Sequence, residues 1–225
     1  MKISILLATH NGSQFIDQSI ESILSQTYQN WELLIGLNDT TDNTLEKVKS
    51  YSDDRIRIFE YVERGKPNTL NSLLSESVGE YIAIIDDDDM WLPTKLELQV
   101  EKLEDDAVDV IGTQMFYCDE AGNIMDGSPS LTRSSDNIKM MILQGDNQIA
   151  NLSALVKKES LLAVGGWRNL VALEDFDLWV RMSRGNFSFQ NLNEKLVIHR
   201  RHNNSKFNTM RGDVQEQIKN EILNG

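Results

Sequence analysis

The chain has 225 residues, 40% of them hydrophobic, and a formal net charge of −13. That length suits one domain with a sizeable core, and the acidic balance excludes nucleic acid or an anionic membrane as a general partner, since both need a basic footprint. No apolar run approaches the roughly 18 residues of a membrane span, nothing reads as a signal peptide, and the single cysteine, Cys118, forms no internal disulfide and fits a reducing compartment.

Strand and helix alternate through the first hundred residues. "KISILLA" is a short apolar run, hence a buried strand. "QFIDQSIESILSQ" places Ile16, Ile20, Ile23 and Leu24 at helical spacing, with Gly12-Ser13 offering a cap. "WELLIGL" is a second buried strand, "TDNTLEKVKSY" a polar helix with Leu45 and Val48 inward, and "RIRIFEYV" a strand alternating at period two. "KPNTLNSLLSES" is a helix with Pro67 in its first turn. "EYIAIID" is the fourth strand and "PTKLELQVEKLE" the helix after it. Such repetition implies a mostly parallel sheet with right-handed crossovers, whose ligands gather at the C-terminal strand ends.

After residue 105 the pattern changes. "AVDVIGTQMFYCDEAGNIMDG" reads as a strand, a turn at Ala121-Gly122-Asn123 and a return strand, and "DGSPSLTRSSDN" as a loop. "IANLSALVKKESLLAVGGW" reads as a strand, a short helix and a Gly-Gly turn, and "LEDFDLWVRMSR" as a helix with carboxylates at its start. "KLVIHRRH" is a last strand and "GDVQEQIKNEILNG" a terminal helix. Trp91, Trp179, Met140 and Met141 read as packing residues. A single domain is expected, with residues 1–105 one half and 106–225 an addition to the same sheet.

Three polar clusters fall at the strand ends: Thr9-His10-Asn11, Asn38-Asp39 and the run Asp86 to Asp89. Four adjacent carboxylates repel one another and contribute nothing to folding alone. In an extended stretch Asp86 and Asp88 share one side and Asp87 and Asp89 the other. Carboxylates so placed suit Mg²⁺ or Mn²⁺, which bind through one or two carboxylates plus substrate phosphates. The bland alternative is a helix cap facing water. The stretch 195–211 holds Lys195, Arg200, Arg201, Lys206 and Arg211 with His199 and His202, a basic patch that reads equally as a solvated tail or a phosphate contact.

The order of these elements resembles the family 2 glycosyltransferases of the GT-A fold. "ATHNGSQFIDQSIESILSQTYQNWELLIGLNDTTDNT" is similar to their nucleotide-binding half, and "EYIAIIDDDDMWLP" to the strand carrying their Asp-x-Asp motif. "GGWRN" with "LEDFDLWVRM", and "HRRHNNS", resemble their later segments. The likeness runs from Lys2 to about Ser205. It implies an α/β GT-A-type fold: a Rossmann-like, mostly parallel central sheet, helices on both faces and a small antiparallel acceptor-side addition.

By the same resemblance Asp86 and Asp88 match the Asp-x-Asp pair, Asp88 being the metal contact, with Asp87 beside them on the donor side. Thr9, Asn11 and Asn38 fall in the donor loops. Asp175 matches the catalytic base, with Glu174 and Trp167 on the acceptor side. His202 matches a late histidine near the metal or diphosphate, and Gly65 and Asn71 a turn and helix after strand three. The implied reaction takes a nucleotide-diphosphate sugar and a glycan or lipid-linked acceptor, with Mn²⁺ or Mg²⁺, and inverts the anomeric centre. The implied setting is bacterial surface-polysaccharide assembly at the cytoplasmic membrane face, with 195–211 as a membrane contact. Leu37 and Asn38 stand where the family has an Asp pair, and Leu70 where it has an arginine. A sugar nucleotidyltransferase and a non-catalytic nucleotide- or glycan-binding relative are the rival readings. The loop Asp126 to Asn137 is a candidate lid.

Overall fold

The computed structural model describes residues 1–62, 65–132, 134–203 and 211–225. Four strands, β1 (Ile3–Thr9), β2 (Trp31–Asn38), β3 (Ile56–Tyr61) and β4 (Tyr81–Ile85), pair in parallel in the order β3-β2-β1-β4. Between them lie α1 (Ile16–Leu24), α2 (Thr44–Lys49) and α3 (Lys66–Glu76). β5 (Met90–Trp91) and α4 (Lys95–Asp105) follow.

The second half adds β6 (Val110–Cys118), β7 (Ile124–Met125), α5 (Ser135–Leu143), β8 (Leu155–Lys157), α6 (Lys158–Ala163), α7 (Glu174–Arg184), β9 (Phe189–Arg200) and α8 (Gly212–Asn224). The full sheet order is β3-β2-β1-β4-β8-β6-β9-β5, with β7 paired to β6. β8 runs antiparallel to both β4 and β6, so β6 points the same way as β4. β9 is parallel to β6. The C-terminal ends of β1, β2, β4, β6 and β9 therefore face one edge.

Alternation along β1 divides the core. Ile3, Ile5 and Leu7 face Ile16, Ile20, Val48 and Leu96, whereas Leu6 faces Leu70, Leu73, Ile142 and Trp179. Helices thus cover both faces, as expected of an α/β fold. At roughly 25 cal/mol per Å² of apolar area, these two layers are the main stabilising term.

Several local expectations need correction. Gly12-Ser13 does not cap α1; Phe15 occupies that position with no side-chain cap bond. The loop expected to reach Asn137 ends earlier, because α5 begins at Ser135. The strand in "IANLSALV" is confined to Leu155–Lys157, after a 3₁₀ turn at Asn151–Ser153. Trp91 and Trp179 are core residues, but Met140 is half exposed. No helix among the described residues is long and apolar enough to cross a membrane.

Candidate active site

The aspartate run is not extended. Asp86 accepts from the Asp89 amide at 3.3 Å, so the chain turns and the four carboxylates fan out to separate partners. Asp86 meets Lys66 Nζ at 2.5 Å. Asp87 accepts from the Thr9 hydroxyl. Asp88 lies 2.9 Å from His202 Nε2. Asp89, fully buried, faces His199 Nδ1 at 3.0 Å and accepts from the Arg200 amide at 2.9 Å. The pairing expected from strand geometry, Asp86 with Asp88 on one side, gives way to this turn. Mutual repulsion is offset because each carboxylate has its own partner.

The edge electrostatics follow. Burial pushes Asp87 up to about 7, helped by Asp88 and opposed by the Thr9 bond. Burial also raises Asp89 to about 6, with His199 opposing. Burial pulls His199 down, yet the Asp89 charge and hydrogen bond outweigh it and lift the imidazole to about 9. His199 is thus an imidazolium at neutral pH. Gly12 is needed beside this turn, because a Cβ there would strike the Asp87 carboxylate and the Thr9 hydroxyl.

The donor-loop residues hold each other. Asn11, at φ 57°, accepts from the Thr41 amide at 2.8 Å, tying the loop after β1 to the loop after β2. The Asn38 carbonyl accepts from His10 Nδ1 at 2.7 Å, and the residue itself is buried. Leu37 and Leu70 are core residues.

On the other side, Leu173 at φ 60° turns the chain into α7, whose first residues are Glu174 and Asp175. Left-handed backbone is costly for leucine, and the surrounding packing must hold it. Lys66 Nζ sits 3.5 Å from Glu174 while bound to Asp86, so one ammonium bridges the two halves. Burial and the Glu174 charge raise Asp175 to about 6, with Lys66 opposing. Asn147 Nδ2 lies 3.5 Å from Asp175 Oδ2. An Asp175 carboxylate of this kind is ionised at pH 7 yet basic enough to accept a proton.

Asn71 is a clasp: its Nδ2 donates to the Trp167 carbonyl at 2.7 Å, and the Trp167 amide donates back at 3.0 Å. Trp167 is 2% exposed and packs in the core beneath α3, so it is not an open acceptor platform. The basic stretch is divided between buried and exposed side chains. Arg200 is buried and donates to the Asp88 carbonyl at 2.9 Å and to the Glu120 carbonyl at 2.8 Å. Arg201 lies over Tyr117 and Lys195 over Phe116. His199 and His202 pair with aspartates, whereas Lys195, Arg201 and Arg211 are exposed; Lys206 and Ser205 lie outside the described residues.

Sequence reasoning missed Lys66 and Asn147, and had Arg200 and His199 only as members of the basic patch rather than as partners of the aspartate turn. No group of three or more His, Cys or carboxylate side chains among the described residues is arranged to hold a metal. The pair that the resemblance points to, Asp88 with His202, is the candidate ligand set. One carboxylate and one imidazole, completed by phosphate oxygens and water, fit Mn²⁺ or Mg²⁺.

The family model for glycosyl transferase family 2 matches residues 4–160. The O-antigen biosynthesis glycosyltransferase WbnJ of Escherichia coli is 32% identical over 209 residues, covering 90% of this chain and 81% of that protein. The E. coli UDP-Glc:alpha-D-GlcNAc-diphosphoundecaprenol beta-1,3-glucosyltransferase WfgD is 41% identical over 103 residues, 45% of this chain and 40% of its own length. Among solved structures, S. aureus TarS 1–349 in complex with UDP-GlcNAc aligns with a TM-score of 0.79 and 15% identity, over 99% of this chain and 70% of that one. The chain belongs to glycosyl transferase family 2.

Proposed function

We propose that the chain transfers a sugar from a nucleotide-diphosphate donor, a UDP-sugar first, to a hydroxyl of a glycan or lipid-linked acceptor, inverting the anomeric centre. The proposed setting is bacterial surface-polysaccharide assembly at the cytoplasmic membrane face. The observation that carries this reading is the meeting of Asp88 and His202 at the edge that also holds Asp175. The names of WfgD and TarS support a uridine donor, and those of WfgD and WbnJ the polysaccharide setting.

Asp88 and His202 would hold Mn²⁺ or Mg²⁺, which supplies neutralisation of charge on a departing diphosphate. Asp87, Thr9 and Asn11 fix the donor loops. Asp175 takes the proton from the acceptor hydroxyl as that oxygen attacks the anomeric carbon opposite the leaving group. Lys66 keeps Asp175 ionised near neutral pH, and Glu174 opposes it.

A second reading is a nucleotide- or glycan-binding relative without turnover. The burial of Leu37 and Leu70, where the family has polar residues, favours it. The test is ¹H NMR of UDP-glucose, UDP-galactose and UDP-GlcNAc incubated with enzyme, Mn²⁺ and a glycoside acceptor. Product whose new linkage is β, from an α-linked donor, is expected. An α-linked product would refute inversion. Tight nucleotide binding with no nucleotide release would favour the second reading.

A further inference from the structure

β9 ends at Arg200, and the aspartate turn is built against that strand end. α1 holds the two ends of the turn: the buried Ser19 hydroxyl lies 2.7 Å from the Asp89 carbonyl and 3.3 Å from the Asp86 carbonyl. The Asp88 carbonyl falls to Arg200, whose Nε donates to it at 2.9 Å. The Arg200 amide donates to Asp89 Oδ1, also at 2.9 Å. One residue from the second half thus holds the main chain around Asp88.

The rest of the guanidinium spans two further segments. Nη1 donates to the Glu120 carbonyl at 2.8 Å and lies 3.4 Å from the Asp119 carbonyl, both in the turn between β6 and β7. Nη2 donates to Gln18 Oε1 on α1. The residue is 1% exposed, and the acceptors just named are neutral. Burying a charge on neutral groups costs free energy that an apolar side chain of similar volume avoids. An apolar side chain lacks the planar fork of N–H donors that fixes carbonyls on several segments at once.

The same guanidinium bears on His202. Its Cζ lies 4.6 Å from the centroid of the Phe15 ring, a cation–π contact. The Phe15 ring in turn packs against the His202 imidazole, with centroids 5.2 Å apart and planes at 57°. Phe15 is buried at the start of α1. Arg200 therefore reaches Asp88 through the main chain and His202 through Phe15, and those two side chains meet at 2.9 Å.

We propose that Arg200 is a positioning residue for the metal and diphosphate site, acting on Asp88 directly and on His202 through Phe15. The proposal rests on the reading of Asp88 and His202 as metal ligands. Arg181 supplies the contrast of a fork that serves the fold. It donates to the Val164 carbonyl at 2.7 Å, the Gly166 carbonyl at 2.8 Å and Asp177 at 2.8 Å, tying the Gly-Gly turn to α7.

The test uses the whole chain and its variants Arg200→Lys, Phe15→Leu and Arg181→Lys. Electron paramagnetic resonance titration of Mn²⁺ in the presence of UDP reads the dissociation constant of the ion, and urea unfolding reads stability. Arg200→Lys and Phe15→Leu are expected to weaken Mn²⁺ binding about tenfold or more, as is usual for residues that orient metal ligands. Arg181→Lys is expected to lower the urea midpoint and leave Mn²⁺ binding unchanged. If Arg200→Lys does not fold, Phe15→Leu decides. Mn²⁺ binding unchanged in both variants overturns the proposal and leaves the metal reading standing. Equal weakening in Arg181→Lys marks general destabilisation and also overturns it. Weakening in folded Arg200→Lys alone upholds the Asp88 contact and overturns the relay through Phe15. A native chain that binds no Mn²⁺ with UDP present overturns the metal reading, and the proposal falls with it.

Discussion

Residues 1–105 and 106–225 both deliver carboxylates to one sheet edge, but hold them differently. In the first half, Asp86 to Asp88 each have a close partner: an ammonium, a hydroxyl and an imidazole. In the second, Asp175 is partly buried, stands beside Glu174, and meets Asn147 at 3.5 Å. Pinned carboxylates are fixed in direction and suit binding. A partly desolvated carboxylate with a like charge beside it keeps proton affinity and suits base catalysis. The two sets also depend on each other, since His202, His199 and Arg200 come from the second half to order the aspartates of the first.

The largest expected effects break this division of labour. Asp175→Asn is expected to lower kcat by roughly 10²–10⁴, the range of general-base catalysis, with the dissociation constant for UDP unchanged. Asp88→Ala should weaken UDP binding in Mn²⁺ and remove its metal dependence. Steady-state kinetics beside calorimetric titration separate the two patterns.

Lys66→Met sharpens the comparison by removing the bridge. With Asp175 raised to about 6, activity of the native chain is expected to rise with pH through that region. Loss of the ammonium removes the charge that opposes Asp175's upward shift, so the acid limb should move to higher pH. Lys66→Arg should restore it. A limb unmoved in Lys66→Met would place the bridge outside catalysis.

Asn71→Ala tests the mechanical link between halves. Loss of both clasp bonds leaves the Trp167 amide and carbonyl unpaired, and a cost of roughly 1–3 kcal/mol is expected by urea unfolding. The smallest effect concerns Lys95, fully buried against Gln99 at 2.9 Å and Trp91. Burial lowers its ammonium well below the ordinary value. Above that lowered value and below roughly 10.4, the unfolded chain binds a proton that the folded chain does not. Native stability relative to Lys95→Met should therefore rise with pH across this window.

The first half was legible because its signals are local. Ile16, Ile20 and Ile23, the run Trp31 to Leu37, and Pro67 in a first turn each state an element within a dozen residues. The order of β8, β6 and β9 was not, since no local pattern encodes which distant strand a strand pairs with. The same limit governed the site. Asp88 and His202 were each visible as candidates, and the structure supplied their contact across 114 positions. Trp167 misled, because an aromatic after two glycines looks exposed, while the Asn71 clasp draws it inward. Lys66 was overlooked because an isolated lysine at a helix start carries no mark of the carboxylates that fold around it.

The central claim is that Asp88 and His202 form the metal and diphosphate site. Mn²⁺ electron paramagnetic resonance tests it directly, by titrating the ion into the native chain, Asp88→Ala and His202→Ala, with and without UDP. The account predicts tight Mn²⁺ binding in the native chain with UDP present, and its loss or severe weakening in both variants. Equal Mn²⁺ binding in the native chain and in both variants would contradict it.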